Sequence, residues 1–333
     1  MPTVSPSLPG SRAAAERRPN RLLTNLFVGG TVLTIAWGTF AFGAVYPWAY
    51  APLAVACALT GVLGLVVGRA TSTLHHERWL FVALQFVFAI GLLQLLPLPR
   101  PLLTAISPAT DRFLQSYDLG YAYSGIAGTD QRVGASWHPL SIEPTATLRA
   151  LELFAAFAVF LAGLLSALTR DLSLRVGRLL VSMGMVLALI GIVQKLLLGD
   201  HAFGGMKIYG FWTPRYLLTT PFGPYVNKNH FAGWMLMVVP LALGIVGHAL
   251  EAMARRRTSL RLRVVWLSTP EGGRFLMTLF GVSLMGLALL MTRSRSGIAC
   301  VFLGALLTAF LSRRAGLSGR SGAIAAEIGR AHV

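Results

Sequence analysis

Long apolar runs separated by short polar and basic segments dominate this chain. Eight of them lie near 26–45, 50–68, 79–97, 150–169, 179–198, 231–250, 275–292 and 297–312. Each approaches or reaches the roughly 20 residues that a helix needs to cross a hydrocarbon core, the last being the shortest. Within each run the apolar residues are continuous, whereas the strands of a membrane barrel alternate apolar and polar positions. The pattern therefore predicts an all-α, polytopic helical membrane protein with about eight transmembrane helices between residues 26 and 312.

Composition agrees with this class: 55% of the residues are hydrophobic and 12% charged, far from an ordinary soluble domain. The charge that is present carries topology. Of 29 basic residues only Lys195, Lys207 and Lys228 are lysines. Arg12, Arg17, Arg18 and Arg21 precede the first run, which places the N-terminus in the cytoplasm. Counting runs from there puts Arg69/Arg78, Arg170/Arg175/Arg178, the cluster Arg255-Arg256-Arg257 with Arg261, Arg263 and Arg274, and Arg313/Arg314 on the same side. The two long connectors, roughly 98–147 and 199–230, then fall outside. The net charge of +17 reads as this topological signal plus attraction to membrane lipids, not as a nucleic-acid footprint. Residues 1–25 read as a disordered cytoplasmic tail and 313–326 as a cytoplasmic segment. Cys57 and Cys300 lie inside apolar runs and imply neither a disulfide framework nor a metal site. No motif for a cofactor is present, and none is expected.

The first connector holds Asp111, Asp118, Asp130, Glu143 and His138. These read as the acids of a solvated loop, with Asp111-Arg112 a surface pair; acid/base groups for sugar chemistry are the sharper alternative. Trp137-His138-Pro139-Leu140 suits a segment lying on the membrane interface, and Arg149 and Glu152 have the helical spacing of an ion pair.

The second connector is more specific. Gly204-Gly205, Gly210-Phe-Trp-Thr-Pro214 and Pro221-Phe-Gly-Pro224 predict turns that leave backbone amides free to face a ligand. Asn227-Lys228-Asn229-His230 then forms the polar first turn before the sixth run, with asparagine suited to cap a helix. Arg215, Lys228, Arg293 and Arg295 all fall at outer helix ends, where basic residues are normally scarce. Such a cluster at the membrane surface suits an anionic, lipid-borne substrate, because the guanidinium fork can donate two hydrogen bonds to one phosphate.

Two segments resemble a known family. Gly223-Pro-Tyr-Val-Asn227-Lys-Asn229-His-Phe-Ala232-Gly233, preceded by Arg215, is similar to the Gly-x-Phe-x-Asn-x-Asn-x-x-Ala pattern of the O-antigen ligase and polymerase family. Met291-Thr-Arg293-Ser-Arg295-Ser-Gly297 resembles that family's Ser-Arg-Gly turn with one extra arginine. The likeness covers about residues 180–312. Tyr225 stands where phenylalanine is usual, and Lys228 where proline is usual.

The resemblance implies a glycan transferase at the outer face of the bacterial inner membrane. Its donor would be an undecaprenyl-diphosphate-linked glycan, its acceptor the lipid A core or a growing polysaccharide. Arg215, Arg293 and Arg295 would hold the diphosphate, Asn227, Lys228 and Asn229 would bind substrate, and His230 is a candidate base. The family's stronger base candidate lies in an outer loop beyond the eighth span. Glu327 to Val333 reads like a translated sequencing adapter. The expectation is therefore an N-terminal fragment, ending at residue 326, that does not complete transfer alone. Ligase and polymerase activities are both compatible with these motifs. A transporter or flippase for a lipid-linked glycan, or a non-enzymatic export subunit, are the other classes. No Asp, Glu, Lys or Arg sits in the middle of a run, which disfavours ion coupling.

Overall fold

The computed structural model describes residues 21–68, 78–123, 137–198, 207–214, 220–255 and 260–317. In chain order its helices are α1 (Arg21–Phe40), α2 (Pro47–Gly68), α3 (Arg78–Leu93), α4 (Arg100–Ile106), α5 (Pro108–Tyr117), α6 (Leu119–Tyr123), α7 (Pro144–Ala167), α8 (Arg170–Leu198), α9 (Lys228–Arg255), α10 (Leu260–Leu267), α11 (Pro270–Met291) and α12 (Arg295–Leu317). Two short strands, β1 (Pro97–Pro99) and β2 (Trp137–Pro139), pair antiparallel with Leu98 opposite His138. Each of the eight apolar runs holds a helix, and α1, α2, α7, α8, α9 and α11 are long and apolar enough to cross a membrane. The protein is an all-α, multi-pass membrane protein.

The third run gives a shorter apolar helix, Arg78–Leu93, and the apolar stretch of α12 is Arg295–Leu311. For α3 the reason is local. Pro97 and Pro99 lack amide donors and push their predecessors into extended backbone, so the helix ends before the apolar run does. Helix α1 starts at Arg21, so the last residues of the segment read as a disordered tail are helical.

The chain forms two compact units, residues 1–34 with 51–168, and residues 35–50 with 169–333. In the first, α2 and α7 approach so closely that a Cβ on Gly61 would meet the backbone of Val159, and one on Gly163 the backbone of Gly61. Small residues permit this contact, which substitutes for the hydrophobic drive that lipid cannot supply. Thr34 and Thr60 hydrogen-bond at 3.3 Å between α1 and α2, and Phe88 stacks on Phe154 between α3 and α7.

The described residues of the first connector, 98–123 and 137–147, are folded, contrary to the expectation of a solvated loop, and Asp130 lies outside them. Asp111 is buried and pairs with Arg100 at 3.4 Å, not with Arg112. Tyr121 Oη donates to one carboxylate oxygen at 2.7 Å and Gln115 Nε2 to the other at 2.8 Å. The Arg100 guanidinium also sits 4.9 Å from the centre of the Tyr121 ring. One buried, fully partnered carboxylate thus ties α4, α5 and α6 together. Trp137 and His138 belong to the β-ribbon, and no ion pair joins Arg149 to Glu152.

The core of the second unit comes from α8, α9, α11 and α12. Leu187, Phe231, Met235, Ala242, Met285 and Ala288 are fully buried there. The turn Pro221–Val226 plugs into the same core through Phe222 and Tyr225, with Phe222 and Phe231 ring centres 4.7 Å apart. A second cluster joins the α1–α2 link to the turn at 207–212. Phe42 and Trp212 centroids lie 5.1 Å apart, and Tyr209 Oη donates to the Phe40 carbonyl at 2.7 Å.

Candidate functional site

Four ends of the second unit's helices meet at one point: the C-terminus of α8, the N-terminus of α9, the C-terminus of α11 and the N-terminus of α12. Asn227 caps α9 as its residue type predicts, its Oδ1 accepting from the Asn229 amide at 2.9 Å and its carbonyl from His230 at 3.0 Å. The turn between α11 and α12 is just as closely tied. Thr292 Oγ1 donates to Leu289 O at 2.6 Å and accepts from the Ser294 amide at 3.1 Å. Ser294 caps α12, its Oγ accepting from Gly297 N at 3.3 Å while donating to Asn229 Oδ1 at 2.9 Å.

That last bond joins the two sequence motifs. Gly297 makes the approach possible, because a Cβ there would run into Ala232 of α9. Ser294 and Thr292 are buried, whereas Arg293, Arg295, Asn229 and His230 are exposed and Lys228 is half-buried. The buried residues of the turn build the joint, and the basic ones project from it.

Lys195 lies close enough to Arg293 and to Lys228 for its charge to interact with each. Lys195, in the last turn of α8, is therefore part of the site although its position within an apolar run had marked it only as part of a span. The one signal available was its type, a lysine in a chain whose bases are nearly all arginine. Two further features raise the positive potential. Lys228 and Arg295 are the first residues of α9 and α12, and neither helix has an acid in its first turn. The helix macrodipole disfavours a cation at an N-terminus and favours an anion there. Arg293 itself has φ +53, a left-handed conformation uncommon for a residue with a side chain.

Of the residues expected to form the site, Asn227, Lys228, Asn229, His230, Arg293 and Arg295 are thus brought together. Arg215 lies outside the described residues. The Oδ1 atoms of both asparagines are taken up by the joint, so these two side chains position the cations through it. Turns form at the predicted Gly210–Pro214 and Pro221–Pro224 segments, Gly204-Gly205 lies outside the described residues, and several of the turn amides are taken up within the protein. Tyr209 N–H donates to Gln194 Oε1 at 3.1 Å, and Phe222 and Tyr225 exchange backbone hydrogen bonds. Tyr225 is accommodated in place of phenylalanine by a hydrogen bond with Thr39, and burial pushes its phenol well above the ordinary range. Burial likewise pushes Tyr209 up to about 12.

The chain matches no family model, no curated protein and no solved structure.

Proposed function

We propose that this multi-pass protein is a glycan transferase of the bacterial inner membrane, taking its donor from an undecaprenyl-diphosphate carrier at the outer face. The observation that carries the reading is the Ser294–Asn229 hydrogen bond, which locks the Arg-Ser-Arg turn to the Asn-Lys-Asn-His helix start at the end of a helix bundle. It joins the two resembling motifs, 65 residues apart at the bonded pair, which supports reading their basic residues as one site. The strained backbone of Arg293 adds support, since such conformations cluster at functional positions.

In this reading the acceptor hydroxyl, on the lipid A core or a growing polysaccharide, attacks the anomeric carbon of the donor. The carbon–oxygen bond to the diphosphate breaks, and the lipid diphosphate leaves with the bonding electron pair. Arg293, Arg295 and Lys228 stand where that negative charge grows, with Arg215 as a further contributor. A pre-aimed donor of this kind contributes about 3–4 kcal/mol to such a step. The acceptor proton must go to a base, for which exposed His230 is the candidate in the described residues. The arginine parity assigns the cytoplasmic side to the N-terminus and the outer side to this site.

The test is surface-glycan transfer in cells whose own copy of the gene is replaced by variants at matched membrane abundance. Arg293→Lys and Arg215→Lys keep the charge and lose the forked geometry, and each is expected to lower transfer tenfold or more, about 1.4 kcal/mol per tenfold. Normal transfer by both variants would reduce these arginines to headgroup anchors and overturn the reading.

A further inference from the structure

The short helices of the first connector leave one apolar face exposed. Helix α5 turns Thr110, Asp111 and Leu114 inward, where all three are buried. Phe113 and Tyr117, one helical turn apart, stand on a flank of the same helix with ring centres 4.7 Å apart. Beside them lies an open cleft of about 450 Å³, which Leu119 of α6 and Ile142 help to line. Tyr117 and Leu119 are 77% and 75% exposed, and Phe113 and Ile142 are exposed as well. Polar Arg112 and Ser116 occupy another side of α5.

The helix that follows fixes where this cleft lies. Ile142 stands just before α7, which is long and apolar enough to cross a membrane. Helix α3 packs along α7, with Phe88 stacked on Phe154 and Gly91 so close to Leu151 that a Cβ there would run into it. Just past the end of α3 the Gln94 carbonyl accepts from the Ser141 amide at 3.0 Å. That bond draws the two ends of the connector into one neck, and Ile142 is the next residue after it. An apolar face at this neck adjoins the lipid-facing surface of the helices.

We propose that this face docks on the bilayer that α7 crosses, with Phe113, Tyr117, Leu119 and Ile142 inserted at the boundary between headgroups and acyl chains. Arg112 and Ser116 stay on the aqueous side. Amphipathic elements at this boundary sink their apolar face about 5–10 Å into it. Tyrosine is favoured there because its ring is apolar and its hydroxyl remains wet. Lipid suits the cleft better than a glycan does. A sugar needs several hydrogen-bonding side chains, and the one charged group among the described lining residues is Asp118, whose Oδ1 already accepts from the Tyr121 amide at 3.1 Å. The buried Asp111 cluster makes the connector rigid, so the four side chains insert together. None of this depends on the transferase reading.

The experiment places a nitroxide spin label at one position at a time in the full chain, reconstituted in phosphatidylcholine–phosphatidylglycerol vesicles. Cys300 is replaced by alanine, and Cys57 stays because it is buried. Tyr117→Cys and Leu119→Cys carry the label in the cleft, and Arg112→Cys and Ser116→Cys carry it on the polar side. All four positions are exposed, so none needs space in the core. Collision rates are measured with oxygen, which concentrates in lipid, and with a water-soluble nickel chelate. The oxygen-to-nickel ratio at Tyr117 and Leu119 is expected to exceed that at Arg112 and Ser116 about tenfold.

Equal ratios at all four positions, with ready access of the nickel chelate, would leave the cleft in water and overturn the proposal. Poor access of both probes to Tyr117 and Leu119 would mean that protein covers the face, and overturns it too. A second arm keeps the label away from the two most exposed side chains. With the label on Ile142→Cys, adding Tyr117→Asp and Leu119→Asp should raise nickel access about tenfold, because carboxylates resist immersion in lipid. Unchanged access at Ile142 would contradict insertion of the face as one unit.

Discussion

Arg293 holds a backbone conformation that glycine adopts without strain, and that observation separates two roles for its side chain. If the side chain serves only the fold, removing it costs stability. If it serves a ligand, glycine relieves the backbone and abolishes function. The account predicts the second outcome: Arg293→Gly should unfold at the same or a slightly higher temperature, with up to about 1 kcal/mol gained, yet fail in transfer. A clear fall in thermal stability with transfer retained would make Arg293 a structural residue. The sequence marked Arg293, Arg295 and Lys228 by their position at helix ends, and Asn227 by its capping chemistry. It does not reveal the partner of Ser294, which enters only within the Ser-Arg-Gly likeness, and it does not single out Lys195 for the site. A serine between two arginines reads as filler until its hydroxyl is seen on Asn229, and a lysine ending an apolar run reads as snorkelling toward the surface.

At the scale of elements, the connector between α3 and α7 shows how much a single buried charge can organise. Burial raises the Asp111 pKa, but the hydrogen bonds from Tyr121 and Gln115 and the charge of Arg100 outweigh it, so the folded value lies below the ordinary 3.8. The ionised carboxylate therefore stabilises the connector at all pH values above the ordinary one. That contribution is lost as the pH falls through the lowered folded value. Asp111→Ala should cost about 2 kcal/mol at neutral pH by stranding the groups around it. Amide hydrogen exchange across Arg100–Tyr123 should be faster in the variant at pH 7, and the wild type should approach it only below about pH 4. Equal protection in both proteins at pH 7 would contradict the knot. These short helices were not legible in the sequence because none contains a long apolar run, and the partners of Asp111 are set by folding, not spacing. The membrane helices were legible for the opposite reason, since about 20 apolar residues leave helix as the one backbone state that satisfies its own hydrogen bonds in lipid.

Over the whole molecule, the second unit places its candidate site where four helix ends converge, on a joint of Gly297 and the buried Thr292 and Ser294, packed against the start of α9. The apolar pattern announces the helices and the arginines suggest their sidedness, but only packing decides which helix ends meet. In the proposed function, Lys195 joins Lys228 and Arg293 in one diphosphate site. The most direct test is equilibrium binding of inorganic diphosphate to the purified protein at low ionic strength. Wild type should show saturable binding, and Lys195→Gln, Lys228→Gln and Arg293→Gln should each weaken it about tenfold, about 1.4 kcal/mol. Arg178→Gln, which removes a cation about 25 Å away along α8, should leave it unchanged. Equal weakening by all four variants, or by none, would contradict the site.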